Sequence, residues 1–347
     1  VIDIKGNEWS KIMKFIKGSI EIKMTGKNAR FVNTLRLDNI QCDKDNCEEL
    51  YDNAVQGTID IFTIIVKLQE NEGNIADLVT VLETAINKLY SQHDVVRDNP
   101  ETFARTRDFK YSDVIDIVID LKTTKSFSEA QRRICGLIQT RSAPFFVSEG
   151  RYADAMKNEL TVSEIIESPF VIYNMNKNNA ETLSTLDDLK IYMSQFLDGE
   201  KHFLRKQQKL HTAAFYEELQ RCGSLSTLVR SISARVTGSR SNNLSVFLLL
   251  NAITTLDSDA FRAIKSNITT KMIGYVEEPD QNKLVEEYGC DDIKSYMERI
   301  RTNEKGYYNN CFAVSFNTGL KKDKVLLKSV VPKEMIEAFN TRDSFDI

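Results

Sequence analysis

The chain has 347 residues, of which 41% are hydrophobic and 28% are charged. This composition is typical of globular proteins, excludes intrinsic disorder and collagen-like structure, and at this length allows two or three domains. Because the net charge is only -4 at pH 7, contact with nucleic acid would require a local basic patch. The longest apolar runs, IDIFTIIV and SVFLLLNAI, are shorter than the roughly 20 residues that cross a bilayer, and no signal-peptide pattern opens the chain. The sequence therefore predicts neither a membrane span nor secretion.

The cysteines and histidines give no support for a metal-bound or thiol-based site. Six cysteines and three histidines are present, without a CxxC pair or a zinc-ligand spacing. Cys42 and Cys47 are close enough for a disulfide, but reduced thiols are favoured in a chain of this size. Composition alone leaves a Ser/His/Asp or Cys/His catalytic set open, yet no GxSxG elbow indicates one.

The first half of the chain changes from strand patterns to helical patterns. In residues 1–47 the segments VIDI, SIEIKM and FVNTLRL predict strands, with an amphipathic stretch at Trp9–Phe15 between the first two. Residues 48–165 keep helical spacing, and Ser126 with Glu129 resembles a capping box. The sequence predicts an all-α insertion over 48–165.

Strand patterns return from residue 166 and alternate with helices. The predicted strands are SPFVIYNM, AAFY, NLSVFLLLNAI and TTKMIGYV, and the predicted helices between them cover 179–197, 224–236 and 260–265. This alternation predicts an α/β domain with a mainly parallel sheet flanked by helices. Residues 166–347 would complete the domain that 1–47 begin, with helices at 281–287 and 291–300 and a hairpin that turns at Asn317-Thr318-Gly319.

Two adjacent carboxylates, Glu217 and Glu218, directly follow the predicted strand AAFY. A buried strand that ends in two carboxylates is the arrangement of a Walker B element, in which one carboxylate holds the water shell of Mg²⁺ and the next polarises the attacking water. The alternative interpretation is a strand followed by a solvated acidic turn, because short acidic motifs occur widely.

The next strand ends in a single amide, Asn251, at the edge where open α/β sheets bind ligands. Asn251 would sense a phosphate or position water; otherwise it caps its own loop. Arg235 and Arg240 precede this strand and are candidates for an arginine finger that reaches the nucleotide of a neighbouring subunit. The alternative for both is a solvated surface arginine.

A phosphate-cradling GxxxxGK(S/T) loop does not occur in the sequence. The only Gly-Lys pair is Gly26-Lys27, and Glu21 and Asn28 occupy the first glycine and the Ser/Thr positions of the pattern.

These segments together resemble the TraC-like conjugation ATPases of type IV secretion systems, within the HerA/FtsK class of P-loop ATPases. VIDIKGNE is similar to the family's "DPKGE" strand through Asp3, Lys5 and Gly6, with Ile4 in place of Pro. FYEELQR resembles its "iDEa" Walker B element, with Glu217 in place of Asp, and GSRSNNLSVFLLLNA resembles its arginine and glutamine strand through Arg240 and Asn251. Further similarities lie at Asn33 in FVNTL, in ESPFVIYNM, and at Asn267 and Thr270. The order holds from residue 1 to about 280.

The resemblance implies a RecA-like ATPase domain with an inserted all-α subdomain, in a piece cut from a longer polypeptide after the P-loop helix. It implies the C-terminal portion of a motor that couples ATP and Mg²⁺ to substrate transfer or machine assembly. The expected site residues are Glu218 as general base, Glu217 as Mg²⁺ ligand through water, Asn251 and Asp3 toward the nucleotide, and Arg240, with Arg235 as second choice, as the finger.

The family also implies a cytoplasmic homo-oligomeric ring, such as a hexamer, that contacts membrane-associated channel proteins at the inner face of the cell membrane. An excess of six positive charges in residues 201–240 makes DNA a possible partner, although a charged face that balances the acidic remainder explains it equally well. The alternative functions are a HerA/FtsK-like DNA translocase of a phage or mobile element, and a non-catalytic interaction domain that lacks the P-loop.

Overall fold

The computed structural model describes most of the chain. The described residues are 1–4, 6, 9–25, 29–39, 42–69, 71–176, 184–218, 226–239, 242–250, 264, 266–274, 276–288, 290, 293–301, 311–317 and 322–328.

Strands and helices alternate in the first and last parts of the chain, and helices fill the middle. The strands are β1 Ile2–Asp3, β2 Ile20–Lys23, β3 Val171–Asn174, β4 Thr212–Tyr216, β5 Leu244–Leu248, β6 Thr270–Ile273, β7 Cys311–Asn317 and β8 Lys322–Lys328. The α-helices are α1 Cys47–Val66, α2 Ile75–Gln92, α3 Tyr111–Leu121, α4 Glu129–Phe146, α5 Ala153–Met156, α6 Thr185–Gln207, α7 Ser226–Gly238, α8 Glu278–Tyr288 and α9 Ile293–Arg301. Short 3₁₀ helices cover Trp9–Phe15, Pro100–Thr106 and Val162–Glu164.

The larger sheet has five strands in the order β2-β3-β1-β4-β5. β3 pairs in parallel with β1 and with β2, and Tyr173 lies opposite Ile2 on one side and Ile22 on the other. All four residues of β3 are buried, as expected for the central strand of a parallel sheet. The predicted RecA-like α/β class, with a mainly parallel sheet and flanking helices, is confirmed.

Chain contacts divide the protein into two compact units. The first comprises residues 1–10 and 16–212, and the second comprises 11–15 and 213–347. Helices α1 to α5 belong to the first unit, and the described residues of 48–165 form no strand apart from one isolated bridge between Phe31 and Glu159. The domain boundaries at 47/48 and 165/166 stay predictions.

Helices α2 and α4 of the first unit begin at side-chain caps. Asn74 accepts a hydrogen bond from the backbone N–H of Asp77 at the start of α2, and Ser128 pairs with Gln131 in a capping box that opens α4. The capping box predicted at Ser126 and Glu129 is therefore wrong by two residues, because two similar serines lie within one turn. Such caps typically stabilise a helix by about 1 kcal/mol each.

The segment FVNTLRL is not a strand, contrary to the sequence pattern. Its polar groups bond to side chains and loops instead of a neighbouring strand. The Asn33 amide donates to the Phe109 carbonyl oxygen at 2.7 Å, and the backbone N–H of Thr34 donates to the Tyr111 hydroxyl at 2.9 Å. Since buried backbone groups need a partner, these bonds replace a strand ladder.

Strand β6 lies outside the parallel sheet in which the alternating pattern placed it. It pairs antiparallel with β7, which pairs antiparallel with β8, to form a three-stranded sheet in the second unit. The predicted C-terminal hairpin is thus present, while its turn residues 318–321 lie outside the described residues. A small core packs α8 and α9 against this sheet through Ile273, Leu284, Ile293, Met297 and Ala313.

No helix in the described part of the chain is both long enough and apolar enough to cross a membrane. Four cysteines, Cys42, Cys47, Cys135 and Cys290, are free thiols, so the expected reduced state holds for them.

Candidate active site at the end of strand β4

The two carboxylates that follow β4 are buried. Glu217 is 8% exposed and Glu218 is 4% exposed, and Tyr216 before them is equally buried. Glutamate side chains rarely lose nearly all of their solvent contact without a compensating role. The alternative of a solvated acidic turn is therefore wrong for this pair.

Glu218 adopts a left-handed backbone conformation, with φ of +49°. For a residue with a Cβ atom, adopting this conformation costs roughly 1–2 kcal/mol of conformational free energy. Glycine adopts it without this penalty. The chain turns sharply here, immediately after the strand. Such strained residues often lie at functional sites, because the surrounding fold must hold them in place.

The ends of β4 and β5 lie side by side within the second unit. The backbone N–H of Leu249, the residue after β5, donates a hydrogen bond of 2.9 Å to the carbonyl oxygen of Tyr216, the last residue of β4. Asn251 follows two residues later and lies outside the described residues, as does Arg240. The roles proposed for Asn251 and Arg240 are therefore supported only by their positions in the sequence.

Arg235 on α7 contacts β4 directly. Its guanidinium donates a hydrogen bond of 3.0 Å to the hydroxyl of Tyr216. Helix α7 also buries Val229, Ile232 and Val236, at the spacing of three and four residues that defines one helix face. The bond from Arg235 to Tyr216 lies within one chain, so a finger role for Arg235 would require this bond to be released.

Asp3 is fully buried and holds a turn in the first unit. Its Oδ1 accepts a hydrogen bond of 2.7 Å from the backbone N–H of Gly6. Gly6 has φ of +84°, and a Cβ there would collide with the Asn174 side chain and approach the Cα of Asn176 to 2.5 Å. Two of the residues that resemble "DPKGE", Asp3 and Gly6, thus stabilise this turn.

Sequence reasoning missed a polar cluster at the end of β3. The Asn174 amide donates to the carbonyl oxygen of Gly6 at 2.7 Å and to Oε1 of Glu21 at 2.5 Å, and the Ser10 hydroxyl donates to the same Glu21 oxygen at 2.5 Å. One signal was available in the sequence, since Asn174 follows the apolar run FVIY just as Asn251 follows the apolar run VFLLL. Glu21, within the alternating strand β2, gave none.

Helix α6 carries two perturbed ionisable groups that the sequence did not indicate. Burial raises the pKa of the Glu200 carboxyl to about 8. Burial, with the nearby charge of Arg205, lowers the pKa of the Lys201 ammonium to about 8. Lys201 donates a hydrogen bond of 2.6 Å to the Ser168 carbonyl oxygen, which ties α6 to the loop before β3.

Some basic side chains of the stretch 201–240 form hydrogen bonds within the fold. Lys201 bonds to Ser168, and the Arg205 guanidinium donates to the Ile166 carbonyl oxygen at 3.0 Å. Lys206, Lys209 and Arg230 are exposed. The surface available to a polyanion is thus smaller than the count of charges implies.

Metal coordination by protein side chains alone is not indicated in the described part of the chain, where no three or more His, Cys, Asp or Glu residues form a possible metal site. The carboxylates of Glu217 and Glu218 do fit the alternative expected for Mg²⁺, which is bound through water by one or two carboxylates together with substrate phosphates.

Comparison with known proteins gives a structural match without a sequence match. No family model matches the chain, and no curated protein does. The structure is similar to that of VirB4 of Thermoanaerobacter pseudethanolicus, with a TM-score of 0.65 and 15% sequence identity over 96% of this chain and 82% of that one. The chain has the fold of VirB4. At this identity the VirB4 match establishes the fold, and Glu217 and Glu218 are located on that fold at the end of β4.

Proposed function

We propose that the chain is the RecA-like part of a type IV secretion ATPase, with its nucleotide site at the carboxyl end of β4. The observation that carries this proposal is the burial of Glu217 and Glu218 at the end of a parallel-sheet strand in a chain with the VirB4 fold. VirB4 is a type IV secretion ATPase. Ligands of open α/β sheets bind at this end of the strands.

The two carboxylates would divide the chemistry between them. Glu218 would accept a proton from, or polarise, the water that attacks the terminal phosphate, and Glu217 would orient the water shell of the metal. Bound Mg²⁺ supplies neutralisation of the charge that develops on the phosphate oxygens. Burial favours both roles, because electrostatic interactions strengthen where water is excluded.

The proposal requires a phosphate-binding loop from outside these 347 residues, since the sequence contains no GxxxxGK(S/T). Asn251 would contact the phosphates from the neighbouring strand, because Leu249 and Tyr216 hold the two strand ends together. Arg240 would complete the site of an adjacent subunit in a homo-oligomeric ring. Coupling to substrate transfer, contact with membrane-associated channel proteins and contact with DNA belong to the same proposal.

A non-catalytic interaction domain is the second candidate, favoured by the missing phosphate loop and by the bond that holds Arg235 on Tyr216. In that case Glu217 and Glu218 would be buried for structural reasons.

Hydrolysis assays separate the two candidates. We expect the 347-residue chain to show no ATPase activity at a motor-like rate, and the polypeptide extended by the coding sequence upstream of Val1 to hydrolyse ATP in a Mg²⁺-dependent way. An extended polypeptide that neither binds nor hydrolyses ATP favours the interaction domain. Hydrolysis by the 347 residues alone that Glu218→Gln abolishes would contradict the need for an external loop.

A further inference from the structure

We propose that strand β5 pairs with β5 of a second copy of the chain, so that the two larger sheets join edge to edge. β5 is the last strand in the order β2-β3-β1-β4-β5, and in the described part of the chain no strand pairs with its outer side. The unpaired backbone N–H and C=O groups of an edge strand are a template for a further strand. This pairing is independent of the proposed ATPase activity.

β5 has the composition of an inner strand. Edge strands are usually protected from further pairing by charged side chains or proline. Among the edge strands that the structure describes, β2 carries Glu21 and Lys23, β6 carries Lys271, and β8 has the sequence KDKVLLK. β5, with the sequence LSVFL, has no charged residue and no proline, like the inner strands β3, β4 and β7. Its outer edge is therefore unprotected.

One face of β5 is open as well. Phe247 is 46% exposed and Leu249 is 36% exposed, whereas all residues of the inner strand β3 are buried. The Phe247 ring stacks on the Phe215 ring of β4, with the ring centroids 4.4 Å apart and the planes 7° apart. Parallel sheets are normally covered on both faces. Cross-strand neighbours from a second copy would cover part of this apolar surface.

The backbone of β5 can pair with itself. The N–H of Leu249 donates its hydrogen bond toward β4. Because successive residues of a strand direct their backbone groups to alternate sides, those of Leu244, Val246 and Leu248 face the outer edge. In an antiparallel pair with a two-fold axis, Val246 lies opposite its own copy and Leu248 lies opposite Leu244. The N–H of Leu244 already donates to the Ser239 carbonyl oxygen at 3.1 Å, and this register needs only the Leu244 carbonyl oxygen.

A second copy suits this edge for three physical reasons. Antiparallel strands need no crossover connection, so the partner strand can belong to a separate chain. Like charges directly opposite each other destabilise a strand pair, and two copies of β5 bring none together. A two-fold contact closes at two copies, so pairing through β5 does not continue into a fibre.

Antiparallel pairing would also bring Arg240 of one copy toward the proposed nucleotide site of the other. The segment before β5 of one copy lies beside the segment after β5 of the other. In the sequence, Arg240 precedes Leu244, the first residue of β5, by four positions, and Asn251 follows Leu248, its last residue, by three. The role of Arg240 rests on the proposed function, whereas the pairing of β5 does not.

Sedimentation velocity of the 347-residue chain without nucleotide tests the pairing. The wild type should dimerise as its concentration rises from about 1 to about 100 µM, the affinity expected for a small interface. Phe247→Lys adds a charge to the uncharged edge and should weaken the dimer at least about tenfold. Met272→Lys is the matched control, at an exposed position of the protected strand β6, and should leave the dimer unchanged. A wild type that stays monomeric, or a dimer that Phe247→Lys does not weaken, would overturn the proposal.

Disulfide trapping locates the two-fold axis at Val246. The Cα atoms of a directly opposite, hydrogen-bonded antiparallel pair lie about 5.5 Å apart, which is within the range of disulfides. Val246→Cys should therefore form an intermolecular disulfide with oxidised glutathione, above the level of the wild type, and Met272→Cys should not. Circular dichroism checks that each variant folds. If hydrogen exchange shows protected amides at Val246 and Leu248 in a monomer, a segment of the same chain covers β5 and the proposal is wrong.

Mixed variants of the polypeptide extended upstream of Val1 test the role of Arg240. Glu218→Gln and Arg240→Ala should each hydrolyse ATP slowly alone. Mixing them should restore hydrolysis, because one site of each mixed dimer then keeps both residues. Mixed dimers without restored hydrolysis would contradict the role of Arg240 across the pair, while the absence of dimers in sedimentation would contradict the pairing itself.

Discussion

The backbone N–H of Leu249 donates a hydrogen bond of 2.9 Å to the carbonyl oxygen of Tyr216. This bond joins the residue that follows β5 to the last residue of β4, so the two strands end at the same edge. The buried carboxylates begin at the very next residue, Glu217. The proposed site therefore starts at a point where backbone bonding fixes the relative position of two strand ends.

Strain at Glu218 can be measured with two substitutions that both remove the carboxylate. Glu218→Gly should be about 1 kcal/mol more stable than Glu218→Ala, because only glycine adopts φ of +49° without penalty. Urea denaturation monitored by circular dichroism gives both free energies of unfolding. An alanine variant as stable as the glycine variant would show that the backbone is not strained here.

The bond between Arg235 and Tyr216 should contribute to stability. Tyr216→Phe removes the hydroxyl that accepts it and should lower the free energy of unfolding by about 1 kcal/mol. A double-mutant cycle with Arg235→Ala should yield a coupling energy of similar size. Strictly additive effects would mean that the two side chains do not interact in solution.

Gly6 and Gly18 form a matched pair for testing the turn that Asp3 holds. Both have positive φ, +84° and +82°, but a Cβ at Gly18 meets only the Pro169 ring at an ordinary 3.4 Å. Gly18→Ala should therefore cost about 1 kcal/mol, and Gly6→Ala should cost at least about 2 kcal/mol more because the Asn174 contact must break. Equal losses in urea denaturation would contradict the close approach at Gly6.

Glu200 should make the protein less stable as the pH rises. Its pKa in the fold, about 8, lies above its ordinary value of 4.5, so the unfolded chain releases this proton first. The contribution of Glu200 to the free energy of unfolding is therefore fully present below about pH 4.5, and it is lost as the pH rises through 8. Glu200→Gln should flatten this dependence and stabilise the protein at pH 8 by on the order of 1–3 kcal/mol.

A matched substitution controls for the change of net charge at Glu200. Glu83→Gln removes an exposed carboxylate from α2, and it should leave the slope between pH 5 and pH 8 as in the wild type. Parallel slopes for Glu200→Gln and the wild type would contradict the raised pKa of the Glu200 carboxyl.

Local features of the fold could be predicted from the sequence. The spacing of apolar residues indicated helix α2, and the run AAFY followed by two glutamates indicated both β4 and the carboxylates at its end. These patterns depend on neighbours within one turn or one strand, which the sequence displays directly. The parallel α/β class followed from their alternation.

Partners distant in the chain could not be predicted. Nothing in TTKMIGYV shows that β6 pairs with β7 rather than with the parallel sheet, and nothing in FVNTLRL shows that Tyr111 and Phe109 satisfy its polar groups. Arg235 was assigned as a surface or finger residue because its contact with Tyr216 arises only when α7 packs beside β4. Tertiary contacts determine these strand pairings and side-chain partners, and they override the local propensity of each segment.

The most direct test of the proposed site is Mg²⁺-dependent ATP hydrolysis by the polypeptide extended upstream of Val1, compared with its Glu218→Gln and Glu286→Gln variants. Glu286 is an exposed carboxylate on α8 and serves as the matched control. We predict that Glu218→Gln lowers the rate of hydrolysis by at least about 100-fold while nucleotide binding persists, as expected when a water-polarising group is removed, and that Glu286→Gln leaves the rate unchanged. Hydrolysis at the wild-type rate by the Glu218→Gln variant would contradict the assignment of the active site to the end of β4.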